Sequence, residues 1–242
     1  MALIPLPTVC DRFRQAELMD QPGLEPADHR RALEGLTRIN SISRTSAILW
    51  RPIALIAAAD REEDRTTRVL DVATGGGSTP IALMRRAACR GLNVRVDGCD
   101  KSPQAVEFAS KEAAARGVQS RFFVHDALNQ PLPEGYDVIM CSLFLHHLDG
   151  ADAIALLERM AAAARRLVLV DDLVRSRLGY LLAYFGCRLL SGSHMVHVDG
   201  PVSVAAAFTA REALVMASKA GLRNATLVPH WPQRFLLSWS VR

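Results

Sequence analysis

The sequence has few cysteines, and none of them stands at the spacing of a ligand pair. Cysteine occurs five times, an odd number, and no CxxC pair is present. This pattern argues against a disulfide framework and against a cysteine-based zinc centre. We therefore predict that the protein has no metal site.

Long apolar runs are also missing. The longest apolar stretch covers residues 178–190, contains Arg188 and is too short to span a bilayer. Pro5 and Pro7 stand where a secretory signal needs a basic start followed by a continuous apolar run. We predict a soluble, cytoplasmic protein without an integral membrane segment.

The chain lacks a strong charge of either sign. It has 29 Lys and Arg residues against 25 Asp and Glu residues, a formal net charge of +4. Five consecutive basic residues never occur, and the aromatic residues do not alternate with basic ones as they do where bases stack. Nucleic acid is therefore not a predicted partner.

The spacing of the apolar residues changes once along the chain. Residues 1–67 show helical spacing and end in a charged stretch, 60–68, which we interpret as a solvated connector. Beyond it, short apolar runs alternate with helical segments, as in a parallel sheet that helices cover on both faces. Two strand-like runs near the end, 225–228 and 234–239, predict an antiparallel hairpin at the sheet edge. We predict an α/β fold with an N-terminal helical cap, residues 1–67, followed by the domain 68–242.

The clearest chemical signal is the run DVATGGG at residues 71–77, directly after the first strand-like segment. Glycines at this point let the backbone pass close to a nucleoside, and the helix that follows offers free N–H groups. Asp100 closes the next strand, 23 residues beyond Gly77, where a carboxylate can accept hydrogen bonds from ribose hydroxyls. The sequence therefore predicts a nucleoside site at this edge of the sheet.

Two other nucleotide classes do not fit this run. The GxGxxG order of a dinucleotide site is absent, which disfavours a nicotinamide oxidoreductase. The GK[ST] sequence of a triphosphate site is absent as well.

From about residue 68 to residue 172 the chain resembles the class I S-adenosylmethionine-dependent methyltransferases, in particular their ubiquinone/menaquinone methyltransferase-like branch. VLDVATGGG resembles the first motif of that family, CDKSPQAVEFA the second, HDALNQPLPEGYDVIMCSLFLHHL the third and fourth, and RRLVLVDDL the strand after them. The resemblance implies a Rossmann-like, doubly wound sheet of seven strands whose last strand is antiparallel. It also implies S-adenosylmethionine as the cofactor.

The same resemblance assigns residues to the parts of the cofactor. The methionine part is lined by Asp71, Ala73, Thr74, Gly75 and Gly77, where Ala73 departs from the glycine of the family pattern. Asp100 holds the ribose with Lys101 and Ser102 beside it, Asp126 and Ala127 flank the adenine, and Cys141 and Ser142 end the strand below the sulfonium.

His146 and His147 are the candidate catalytic residues, because they directly follow the strand whose end faces the sulfonium. An imidazole with a pKa of about 6.5 suits a phenol, as a proton acceptor or as a hydrogen-bond partner. The segment of about 173–208 is a predicted lid, and the candidate substrate contacts are His194, His197 and Asp172.

These residues predict O-methylation of a small hydrophobic acceptor, phenolic or quinol in character. C-methylation of a quinone or polyketide precursor and a non-catalytic nucleoside-binding protein are the alternatives. A nucleic-acid base methyltransferase would show [DNS]PP[YFW] after the fourth strand, where this chain has MCSLF. We also consider a homodimer.

Overall fold

The computed structural model describes residues 11–20 and 25–241. One sheet contains seven strands, β1 (Thr67–Val72), β2 (Val94–Asp100), β3 (Phe122–Val124), β4 (Tyr136–Ser142), β5 (Ala164–Leu173), β6 (Thr226–His230) and β7 (Arg234–Ser240). The α-helices of these ranges are α1 (Pro26–Ile42), α2 (Thr45–Glu62), α3 (Ser78–Arg90), α4 (Pro103–Ala115), α5 (Gly150–Ala163), α6 (Arg177–Leu190), α7 (His194–Ala206) and α8 (Ala210–Lys219).

The strands follow the order β3-β2-β1-β4-β5-β7-β6 across the sheet. The first five strands pair in parallel, whereas β7 is antiparallel to both β5 and β6. This arrangement confirms the predicted Rossmann-like sheet of seven strands with an antiparallel last strand. The carboxyl ends of β1, β2, β4 and β5 meet at one edge, which is where ligands bind to open sheets of this kind.

Both faces of the sheet are covered because consecutive residues of the central strands, which point to opposite faces, are apolar. On one face Val69 and Val138 pack with Leu49, Trp50 and other residues of α2 and α3. On the opposite face Leu70, Ile139 and Val168 pack against α5 and α8, with Leu156 and Met216 among the contacts. The strands carry few polar side chains between their ends, as expected for a sheet buried on both sides.

The second N-terminal helix is part of the sheet packing. Helix α2 runs without a break through Pro52 and buries Leu49 and Ile53 against the sheet. The interpretation of 60–68 as a solvated connector is wrong for Asp60, which is 2% exposed. Its carboxylate accepts hydrogen bonds from Thr67 Oγ1 and Arg166 Nη1, each at 2.6 Å. The division of the chain at residue 67 stays a prediction.

Three helices lie over the carboxyl edge. A small apolar cluster joins Ala32 of α1, Cys187 of α6 and Val196 of α7, with Met19 and Leu36 packed against it. Along the chain, helices α6 and α7 both come between β5 and α8, in the segment predicted as a lid. Within the described ranges no helix is long and apolar enough to cross a membrane.

Candidate active site

A cavity of about 380 Å³ runs along the carboxyl edge, beneath the three roofing helices. Its floor includes residues 73–76 of the turn after β1 and residues 142–143 at the end of β4. His146 and His147 form part of the wall, and the roof is mostly apolar, with residues such as Leu33, Leu36, Ile39, Leu182, Leu190 and Val196. The cavity therefore joins the predicted methionine end of the cofactor site to the predicted catalytic histidines.

Left-handed backbone builds the turn after β1. Ala73, Gly75 and Gly77 have φ angles of 55°, 54° and 72°. A Cβ on Gly75 would meet nothing within 4 Å, whereas a Cβ on Gly77 would lie 2.8 Å from the Cβ of Ala109 and 2.9 Å from Phe122. Gly75 thus leaves space open at the site, while Gly77 allows the turn to pack against α4 and β3. An alanine with positive φ is strained, which explains why the family pattern has glycine where this chain has Ala73.

Asp100, the residue predicted to bind the ribose, also holds the glycine turn after β1 in place. Asp100 Oδ2 accepts a hydrogen bond from the backbone N–H of Gly75, and Oδ1 accepts one from Ser102, both at 2.9 Å. Ser102 caps α4, because its hydroxyl accepts from the N–H of Ala105 at 3.3 Å. A carboxylate has about four lone-pair sites, so Asp100 retains acceptor capacity for ribose hydroxyls.

Asp71 is a buried carboxyl at the end of β1, with one satisfied oxygen. Thr74 Oγ1 donates to its Oδ2 at 2.8 Å, while Oδ1 has no hydrogen-bond partner among the described residues. Burial raises the pKa of Asp71 to about 7, the Thr74 hydrogen bond opposes the rise, and the charge of Asp100 adds to it. A buried acceptor of this kind fits the amino group of a bound methionine moiety, whose N–H bonds would satisfy it.

Asp126 and Ala127 follow β3 on the side predicted for the adenine. Asp126 Oδ2 accepts from Asn129 Nδ2 at 2.8 Å, and this bond lowers the pKa of Asp126. Ala127 is buried in the core. The sequence analysis did not predict His125, whose Nε2 is buried without a hydrogen-bond partner among the described residues.

His146 lies buried between two carboxylates. Its Nδ1 is 2.6 Å from Asp172 Oδ1, and its Nε2 is 3.6 Å from Glu17 Oε1. Burial alone would lower the pKa of His146, but the charge and hydrogen bond of Asp172, reinforced by Glu17, raise it to about 10. Without another ligand, this raised pKa favours the imidazolium at neutral pH, with Nδ1–H donating to Asp172 and Nε2 lying 3.6 Å from Glu17.

His147 is the more accessible member of the pair. Its side chain is 23% exposed, and its Nε2 lies 3.7 Å from Glu17 Oε1. The two imidazole rings have centroids 4.4 Å apart. Arg12 Nη2 donates to the carbonyl of His146 at 3.0 Å, and Arg14 Nη1 donates to that of His147 at 2.8 Å, so the N-terminal segment holds this turn from outside.

Several predicted residues lie away from the cavity wall. Cys141 is fully buried in the core, where burial raises the pKa of its thiol. Asp172 is buried behind His146 and acts on the cavity through that ring. His194 and His197 lie on α7, and neither is among the described residues that line the cavity. His197 Nε2 is instead 2.6 Å from the carbonyl of Ser191.

Two functional candidates were missed by sequence reasoning. Glu17 comes from a segment with no motif and is 129 residues from His146 along the chain, so no spacing could have indicated it. Leu143 lines the cavity with a φ of 55°, held by its N–H bond to the carbonyl of Asp171 at 2.8 Å. Strained backbone of this kind clusters at functional sites, but it has no sequence signal here.

Comparison with known proteins identifies the central part of the chain. Residues 69–166 match the methyltransferase domain model. The chain is 35% identical over 124 residues to a demethylmenaquinone methyltransferase of Deinococcus radiodurans. This alignment covers 50% of this chain and 48% of that protein. It is 31% identical over 124 residues to a ubiquinone biosynthesis O-methyltransferase of Pseudomonas putida, covering 51% of each. The chain thus spans about half the length of the curated relatives it matches.

A solved structure shares the fold over a longer region. The S-adenosylmethionine-dependent methyltransferase SibL in its apo form superposes with a TM-score of 0.64 at 21% identity, over 94% of this chain and 63% of that chain. Three observations point to the same kind of domain. They are the strand order of the sheet, the glycine turn at its carboxyl edge and the match to a methyltransferase domain. Residues 69–166 thus match a methyltransferase domain, and the chain shares the fold of a solved S-adenosylmethionine-dependent methyltransferase.

Proposed function

We propose that this protein transfers a methyl group from S-adenosylmethionine to a small, hydrophobic acceptor with a phenolic or quinol hydroxyl. The observation that carries the proposal is the shared cavity, which runs from the glycine turn to the histidine pair beneath an apolar roof. The two curated relatives described above carry the names of quinone-pathway methyltransferases, which supports an acceptor of this class.

The chain's own residues are arranged to hold the cofactor. Asp71, directly before the glycine turn, has a buried carboxyl oxygen without a hydrogen-bond partner among the described residues, and Asp100 has lone pairs left for the ribose hydroxyls. Bound S-adenosylmethionine supplies an electrophilic methyl group on its sulfonium. In such a displacement the protein mainly aligns the acceptor and excludes water, which is the role we assign to the roof formed by α1, α6 and α7.

The two histidines have different roles in this proposal. His146 is already protonated between Asp172 and Glu17, so it has no lone pair for a further proton and acts as a hydrogen-bond donor. His147 faces the cavity and accepts the proton of the acceptor hydroxyl. Glu17, 3.7 Å from His147 Nε2, stabilises the positive charge that forms on that ring.

C-methylation remains the second candidate, because the same imidazole could remove a proton from a ring carbon. The name demethylmenaquinone methyltransferase, carried by the Deinococcus radiodurans relative, is the observation that keeps a quinone ring in consideration. Analysis of the methylated product distinguishes oxygen from carbon as the acceptor atom. Absence of a nucleic-acid partner, a homodimer and a cytoplasmic location stay predictions.

A screen of phenols and quinols with labelled S-adenosylmethionine tests the proposed function. For an acceptor that is turned over, His147→Gln is expected to lower kcat by about 10²–10⁴-fold, the usual range for loss of a general base. Its affinity for S-adenosylhomocysteine is expected to equal that of the parent. His194→Gln provides a comparison on the roof, where the side chain is exposed and away from the cavity wall.

Two results would count against this assignment. Full turnover by His147→Gln would mean that the proton acceptor is another group. A loss of turnover with His194→Gln alone would move the acceptor contacts to the roof, as the sequence analysis predicted for the lid.

A further inference from the structure

Three metal-ligating side chains meet at the cavity wall, although the sequence indicates no metal site. One ligand atom from each of Glu17, His146 and His147 lies within 4.8 Å of the other two. Glu17 Oε1 is 3.6 Å from His146 Nε2 and 3.7 Å from His147 Nε2. All three residues also line the cavity.

The separations suit a small divalent ion. At a metal–ligand distance of about 2.1 Å, atoms 3.6 and 3.7 Å apart subtend an angle of about 120° at the metal. Tetrahedral coordination is close to this value. The ligand atoms of the two histidines lie within 4.8 Å of each other, so side-chain rotations that bring both within reach of one ion would complete the site. Three protein ligands with a remaining position open to a cavity are the usual arrangement of a catalytic zinc site.

The groups behind the cluster orient it as outer ligands do in metal sites. Asp172 Oδ1 is 2.6 Å from His146 Nδ1, which leaves His146 Nε2 directed toward Glu17. Ser203 Oγ donates to Glu17 Oε1. A carboxylate on the far nitrogen of a histidine ligand is a frequent feature of zinc sites, because it fixes the tautomer and the ring orientation.

We propose that Glu17, His146 and His147 bind a divalent first-row transition ion, with Zn²⁺ as the best match. Two imidazoles and one carboxylate favour zinc and its neighbours over Ca²⁺ or Mg²⁺, which prefer oxygen ligands throughout. With neutral imidazoles, Glu17 and Asp172 bring two negative charges to the cluster, and a divalent cation balances them. The guanidinium groups of Arg12 and Arg14 donate hydrogen bonds to the backbone carbonyls of His146 and His147.

One consequence deepens the proposed function and rests on it. With the ion bound, His147 Nε2 would be a ligand and could not also accept the proton of the acceptor hydroxyl. The ion would instead bind the hydroxyl oxygen at its remaining position and lower the pKa of that hydroxyl, so that the proton leaves to solvent. Acceptors with two neighbouring oxygens would then be preferred over simple phenols.

Zinc titration of the full chain, after chelator treatment and desalting, tests the site directly. We expect one Zn²⁺ per chain by calorimetry. His147→Gln and Glu17→Gln are expected to lower the affinity at least about 100-fold, and Asp172→Asn by about 10–100-fold, as for an outer ligand. Glu107→Gln is the matched control for Glu17→Gln, because Glu107 is exposed on α4 and its one ion pair within the described part of the chain is with Lys111. Circular dichroism checks that each variant folds.

The visible spectrum of bound Co²⁺ adds a test of ligand identity. With nitrogen and oxygen ligands, we expect d–d bands and no thiolate charge-transfer band. A charge-transfer band would indicate a cysteine ligand instead. The proposal is overturned if the parent binds no Zn²⁺, or if His147→Gln and Glu17→Gln bind it as the parent does. Zinc binding without S-adenosylhomocysteine binding would support the metal site and refute the proposed function, so the two can fail separately.

Discussion

The protonation of Asp71 links the proposed cofactor site to the stability of the fold. The carboxyl is 1% exposed, and its Oδ1 has no hydrogen-bond partner among the described residues. Burial is the main reason that its pKa rises from 3.8 to about 7. Asp71→Asn removes the ionisable group while keeping the side-chain shape, so it isolates the energetic effect of this charge.

The sign and size of the effect follow from the raised pKa. Below pH 3.8 the carboxyl is protonated in both states, so it has no pH-dependent effect on the free energy of unfolding. Between about pH 4 and pH 7 the unfolded chain loses the proton while the folded chain keeps it, so stability falls as pH rises. The shift to about 7 corresponds to a total loss of about 4 kcal/mol, which is complete above that pH.

Urea unfolding of the parent and Asp71→Asn from pH 4.5 to pH 8 measures this loss. The variant is expected to gain stability relative to the parent by about 3 kcal/mol across this range, because part of the total loss occurs below pH 4.5, whatever constant offset its amide introduces. Thr74→Val removes the hydrogen bond that lowers the pKa of Asp71, so it should extend the slope to higher pH. Thr226→Val, at an exposed position on β6, is the matched control.

A pH dependence that is equal in the parent and Asp71→Asn would refute the reasoning. It would mean that Asp71 titrates alike in the folded and unfolded chains.

The remaining predictions concern backbone and buried charge, and urea unfolding at one pH measures all of them. Ala73→Gly is expected to raise the free energy of unfolding by up to about 1 kcal/mol, because glycine relieves a positive φ of 55°; a clear loss would contradict this. Gly77→Ala should lower it by about 1–3 kcal/mol through contact with Phe122, and an unchanged midpoint would contradict the close packing. Arg234→Gln should cost up to about 3–5 kcal/mol, since it removes the arginine from the buried Asp171 and leaves His230, 2.9 Å away, as its partner; a neutral effect would show that the contact with His230 is sufficient.

The fold, and the contact between the glycine turn and Asp100, could be predicted because their signals are local. The glycine run and Asp100 each lie at the end of a strand, and the parallel topology brings such ends to one edge. The hydrogen bond from the N–H of Gly75 to Asp100 joins two segments that the sequence analysis had already paired.

The part of the proposed site around His146, His147 and Glu17 could be predicted only in part. His146 and His147 were identified from their place after β4, but the partners that decide their protonation come from distant segments. Glu17 depends on how the N-terminal segment crosses the edge, where the N–H groups of Leu18 and Met19 donate to Asp199 on α7. Long-range contacts of this kind depend on tertiary packing and leave no periodic pattern in the sequence.

Calorimetric titration with S-adenosylhomocysteine and, separately, with NAD tests the central claim most directly. We expect one site per chain that binds S-adenosylhomocysteine with a micromolar dissociation constant, and no binding of NAD. Asp100→Ala should weaken binding by about 10- to 150-fold, the equivalent of one charge-assisted hydrogen bond of about 1.5–3 kcal/mol. Asp97→Asn is the control on the same strand, because its carboxylate bonds Tyr136 at 3.0 Å, away from the carboxyl edge. Absence of S-adenosylhomocysteine binding, or equal binding by Asp100→Ala, would contradict the account.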